Sequence, residues 1–404
     1  MPLSVEYADL SLAQQLLERQ GSVHVAYMRS FLKQWGNFSE GGEPDGFLLQ
    51  AFHPINQQIV DAGDYALGFL QDIHHGAADH MEQTLNTYID AERRIHNMLS
   101  AASQLAGGTP LPYQAPTLPT LVTATYGASS FYGGEDYTIY QSIGEGVLEA
   151  GLYAGQLTQR IGERSAKALS ANRSISESQD ASSYLKEPEK PKADMNDLRW
   201  NAGMILGGVD WFIEQITGTS FINDVIAKYV GGDWRIIHCA QTAWSEIGDA
   251  LIAVGQNDSE ILPALSEWTG KGSEAANAFI AALAGGTTLL EGAASLVSTI
   301  IGILAAIVKT VAGLIISILG LIEKWCLRAL AVAAVPVGGW IASGLEMAAM
   351  AAELFPMARK VYSLYNHIFS AIENSARAIG QLNEIRFTLA NLAEAAARGI
   401  AARA

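Results

Sequence analysis

Residues 292–322, GAASLVSTIIGILAAIVKTVAGLIISILGLI, contain a single charged side chain, Lys309. A run so apolar has to be covered, either by other protein or by lipid, because water would not tolerate it bare. Helix meets that demand best, since it satisfies the backbone internally in both surroundings. The run exceeds the roughly 20 residues that cross a bilayer core, although Lys309 near its middle is costly there. After the polar EKWCLR a second charge-free run, residues 329–345, contains Pro336, a glycine pair and Trp340. The two runs read as an apolar helical hairpin over 292–345. Ala306, Gly313 and Gly320 recur every seven residues, a spacing of small side chains that lets two helices approach closely. Three settings fit this pattern: a hairpin buried in a soluble bundle, one that hides in the soluble form and inserts into a membrane later, and a constitutive membrane span.

The rest of the chain is also helical in period, and no stretch alternates strongly enough for a sheet. The expected fold is all-α, with long helical hairpins packed as an elongated bundle. Residues 1–106 read as a first hairpin, broken by GNFSEGGEPDG and stopped by the glycine pair at 107–108. Pro54 falls near the start of its second helix, where it is tolerated or kinks the helix. Residues 107–195 read as a linker region. It opens with four prolines between 110 and 119, holds one helix near 139–171, and closes on SISESQDASSYLKEPEKPKADMND, whose polar composition predicts an exposed, mobile segment. Residues 196–404 form the last domain. Asp233 is placed to cap a helix entered at Trp234, with an apolar stripe through Ile237, Trp244, Ile247, Ala250 and Leu251. Ser273 is the expected N-cap of the next helix, with Glu274 in its first turn.

Composition narrows the function. A formal net charge of −16 leaves no basic patch for phosphates, which excludes a nucleic-acid partner. Two cysteines, Cys239 and Cys326, cannot build a metal site and are expected as unbridged buried thiols. Five of the eight histidines lie between 53 and 96. His75 and Asp79 share a helix face that suits a metal, but the expectation for the cluster at 74–80 is a solvated face titrating near pH 6.5. TGKGS around Lys271 lacks the first glycine of a phosphate loop and follows a helix, so it is rejected. No nucleophile–His–carboxylate set or paired-carboxylate signature is evident, and His238 and Cys239 point to different sides of a helix. The chain therefore reads as non-enzymatic, with no cofactor and no metal. The N-terminus has acidic residues and no apolar core, so no cleavable signal peptide is expected.

One motif remains. SEWTGKGSEAANAF sets Trp268, Thr269 and Gly270 between two helical segments, the second rich in alanine. A helix, a Trp-X-Gly turn and a second helix resemble the Trp-X-Gly (WXG) family of type VII secretion substrates, in their longer actinobacterial form. The GGDW entry at residues 231–234, with Asp233 and Trp234, is similar to the helix entry of such members. The likeness spans about 225–320. Family substrates also tend to carry a Tyr-X-X-X-Asp/Glu element, and Tyr88 with Glu92 fits it, sharing one face of a helix. Residues 132–136 and 229–233 match that pattern too. The resemblance implies that one chain supplies both signals, its first hairpin packing on the Trp-X-Gly hairpin as a PE-type protein packs on a PPE-type partner. It further implies export to the medium or cell envelope, with the secretion machinery or a small helical protein as partner. Contact with a membrane and homo-oligomers are compatible with it. The expected function is a secreted helical substrate or effector with a membrane-inserting hairpin. The competing readings are an α-helical pore-forming toxin and the export region of a toxin that lacks its catalytic domain.

Overall fold

The computed structural model describes residues 6–38, 47–110, 112–125, 175–189, 234–265, 268, 271–333 and scattered helical positions between 352 and 387. The protein is all-α. Helix α1, Tyr7–Arg19, continues through a π-helical stretch, Gln20–Val25, into α2, Ala26–Trp35. Helix α3, Phe47–Leu105, runs 59 residues, about 90 Å at 1.5 Å per residue. Pro54 sits inside α3 without ending it.

The α1–α2 rod lies antiparallel to α3. Tyr7 meets Glu92 at one end, Arg29 bonds Asp64 and Gln71 further along, and Gly36 approaches Val60 at the other end. Leu10, Leu16, Leu17, Met28 and Leu32 are buried along this seam. The expected glycine stop is present. Gly107 has φ +80°, which glycine adopts without a Cβ penalty. Gly108 N–H donates to Ser103 O at 2.8 Å and Gly107 N–H to Gln104 O at 3.0 Å, the paired bonds of a Schellman C-cap.

The second hairpin comprises α4, Trp234–Ser259, a short α5, Ile261–Leu265, and α6, Lys271–Ala333. Helix α4 is described from Trp234 onward; Asp233 lies outside the described residues. The anticipated stripe is buried, with Ile237, Trp244, Ile247, Ala250 and Leu251 each at most 2% exposed. Helices α4 and α6 are antiparallel: Gln241 meets Ser298 and Gly302, and Gly255 meets Ala284 and Thr287. The two hairpins then dock with α4 alongside α3. Trp244 lies over Gly63, where a Cβ would stand 2.4 Å from the ring, so that crossing needs glycine.

Three expectations are corrected. The apolar region is no hairpin as far as Ala333: α6 is one helix of 63 residues running straight through EKWCLR. That segment has neither glycine nor proline, and its charges sit on a helix as easily as in a turn; Pro336 falls three residues past Ala333. Within α6, Ala306, Gly313 and Gly320 are half-buried and Lys309 is exposed, so the lysine faces water. Trp340 lies outside the described residues. Ser273 is the third residue of α6 rather than its cap, and its hydroxyl reaches Leu265 O at 3.4 Å. Glu274 does occupy the first turn. Lastly, residues 175–189 are not an exposed segment. Ile175, Glu177, Ala181, Tyr184 and Leu185 are buried, because long-range polar partners, which composition does not register, hold the chain down. The expected helix near 139–171 falls outside the described residues.

Candidate functional site

The Trp-X-Gly turn and the Tyr-X-X-X-Glu element meet. Tyr88, on α3, and Trp268, in the turn before α6, stand edge-on with ring centroids 6.3 Å apart and planes at 88°, a favoured aromatic geometry. The packing direction explains why. Because α4 runs alongside α3, the sites that bring Trp244 to Gly63 and Asp258 to His74 also bring residue 268 level with residue 88. Trp268 is 8% exposed, and Gly272 supplies the floor under its ring, 3.2 Å from where a Cβ would sit. Its indole N–H has no hydrogen-bond partner among the described residues.

Glu92, one turn beyond Tyr88, is exposed and accepts a hydrogen bond from the Tyr7 phenol. Burial and that carboxylate push the Tyr7 pKa up to about 12. Arg93 lies over the Tyr113 ring, 5.8 Å from its centroid, and His96 packs against the same ring at 5.4 Å. The end of the molecule thus gathers an enclosed tryptophan, three tyrosines and an exposed acid. Gly270 lies outside the described residues.

A second cluster was not legible in the sequence. His24, in the π-helical stretch, has Ser182 Oγ 2.7 Å from Nδ1 and Glu177 Oε1 2.5 Å from Nε2. Ser, His and Glu in that order are the members of an acyl-transfer triad. Their surroundings favour a clamp instead. His24 is fully enclosed, the Ser182 amide N–H also donates to Nδ1 at 3.2 Å, and Glu177 is spoken for by Arg19 Nε at 2.8 Å and the Ala124 N–H. Burial pulls the Glu177 pKa up, but the bonds from His24 and Arg19 outweigh it and hold the carboxyl below its usual range. Asn257 of α4 completes the clamp: its amide donates to Gln20 Oε1 and Gln179 O and accepts from the Ser178 and Gln179 N–H groups. Residues 175–189 are therefore a strap stitched to both hairpins.

The histidine patch is also corrected. His74 is fully buried rather than solvated, with Nε2 3.1 Å from Asp258 Oδ2 and Nδ1 2.9 Å from Leu70 O. Burial lowers its pKa, yet Asp258 outweighs that and raises it. His80 and Asp79 are exposed. Among the described residues no three His, Cys, Asp or Glu side chains converge on a metal position. Cys239 is buried and forms no disulfide.

Helix α6 is long and apolar enough to cross a membrane within residues 272–311, where an 18-residue window has a mean hydropathy of 2.0, and half of that window is buried inside the protein. No family model, curated protein or solved structure matches the chain.

Proposed function

We propose that the chain is a non-enzymatic export substrate or effector of type VII character whose recognition signal is the Trp268–Tyr88 end of the molecule. The edge-on contact between these rings carries the reading. Two signals separated by some 180 residues of sequence share one surface, with Glu92 exposed beside them. The strap and the His74–Asp258 pair support it, since they hold the two hairpins in the one arrangement that joins the signals. The partner of that surface is the secretion machinery or a small helical protein.

Export of Trp268→Ala and Tyr88→Ala from a host with a type VII system tests this. Loss of export with the helical circular-dichroism signal intact is the expected result, and unchanged export of both variants sinks the proposal. A second reading, membrane insertion as in a pore-forming protein, rests on the apolar window in α6. Half of that window is packed in the fold, so insertion requires α4 and α6 to part. Dye leakage from protein-free liposomes would support it.

A further inference from the structure

Helix α3 outruns its cover. Positions 67, 70, 74, 77 and 81 follow a 3-4-3-4 spacing and are all buried, the seam a helix presents to a neighbouring helix. The same spacing continues through 84, 88 and 91, which are half-buried, and then through Ile95, Met98, Ala102 and Leu105, which are bare. Exposure reaches 54% at Ile95, 64% at Met98 and 92% at Leu105. Helix α1 begins at Tyr7, level with Glu92, so nothing from it reaches this last stretch. The chain after Gly108 turns back along α1, where Gln15 bonds Pro119 O and the Leu121 N–H. Tyr113 packs on His96, to the flank of the seam.

We infer that this bare seam pairs with the same seam of a second copy, antiparallel, about a two-fold axis level with Ser100. The register argues for it. Antiparallel pairing about that point sets Ile95 opposite Leu105 and Met98 opposite Ala102, so large side chains at the centre meet small ones, as good helix packing requires. A symmetric contact of this kind closes on itself and makes a dimer rather than a filament. Charge selects the place. Two chains of net charge −16 repel across most approaches, but residues 95–105 contain no Asp, Glu, Lys or Arg. A narrow 3-4 seam fits a helix better than the flat plane of a bilayer. Two short segments bury little area, so the dimer is weak and depends on concentration.

Sedimentation velocity on the full chain, from about 5 to about 500 μM, brackets a contact of that strength. The expected result is a monomer that becomes a dimer across this range. Met98→Glu, at an exposed site, should weaken association by about tenfold or more at unchanged helicity. Ile95→Cys mixed with Leu105→Cys should cross-link, whereas each alone should not. A chain that stays monomeric throughout, or a dimer indifferent to Met98→Glu, overturns the inference. So does cross-linking of Ile95→Cys with itself, which means parallel pairing. Flotation of a monomeric chain on phosphatidylcholine or phosphatidylglycerol vesicles that Met98→Glu abolishes would make a bilayer the occupant instead.

Discussion

The interface between the two hairpins and the interface within the second hairpin are held by different physics. Between hairpins, the buried polar groups have complementary partners: His74 with Asp258, Glu177 with Arg19 and His24, Asn257 with Gln20 and the strap. Within the second hairpin, α4 and α6 meet through Ala, Ile, Leu and Val, and two carboxylates, Asp249 and Glu291, are enclosed between them. Asp249 and Glu291 are 4% and 1% exposed on facing helices. Asp249 Oδ1 has no hydrogen-bond partner among the described residues. Burial, then Glu291, pushes the Asp249 pKa up to about 6, and burial pushes Glu246 to about 7. The first interface is specified by polar geometry and fails when one partner is lost. The second is specified by shape, and at neutral pH it carries an electrostatic cost.

The largest expected effect comes from breaking the first interface. Asp258→Ala leaves His74 enclosed without its partner and should cost about 3–5 kcal/mol in urea unfolding; a loss under 1 kcal/mol would mean the pair is ornamental. Gly63→Ala drives a Cβ into the Trp244 ring and should cost about 1–3 kcal/mol, read as a fall in Tm. In the second interface the sign reverses. Asp249→Asn should stabilise by about 1–2 kcal/mol at pH 8, an advantage that shrinks as pH falls below 6.

The pH profile compares the two regions directly. Asp249 and Glu246 bind protons more tightly folded than unfolded, so their contribution to stability rises as pH falls from about 7 toward 4. His74, with its raised pKa, contributes stability that is fully present below its unfolded value and is lost as pH rises through the folded one. Glu177 and Asp64 have lowered pKa values, and their contribution is lost as pH falls below the ordinary carboxylate range. For these groups mild acid should therefore tighten the fold before strong acid loosens it. Thermal melts that drop steadily from pH 7.5 to 5.5 would contradict this. The smallest effect is at the tip: a double-mutant cycle of Tyr88→Ala and Trp268→Ala should show a coupling of about 0.5–1.5 kcal/mol.

Helical period made the first hairpin, the glycine stop and the turn at Trp268 legible, because each is a local event with a local cause. The shared face of Tyr88 and Glu92 could be read the same way, but their meeting with Trp268 could not be placed without knowing that α4 runs alongside α3. The strap is misread from sequence because Ser178 and Gln179 look solvated in any window, while the side chain that holds them, Asn257, lies some 80 residues on. His74 was misread for a like reason, its partner Asp258 being 184 positions away. EKWCLR reads as a break on polarity alone, although no residue in it ends a helix.

The π-helical stretch at residues 20–25 amounts to one extra residue threaded into an otherwise continuous rod. It turns Gln20 and His24 toward the strap while Leu10–Leu17 and Met28–Leu32 both still face α3. Wound as regular α-helix with that residue kept, the same stretch would rotate α1 against α2 by about 100°. One half of the first hairpin would then present its leucines to water. The wide turn thus absorbs one residue without loss of the leucine face, and the reading frame of the rod is part of what holds the two halves of the protein together.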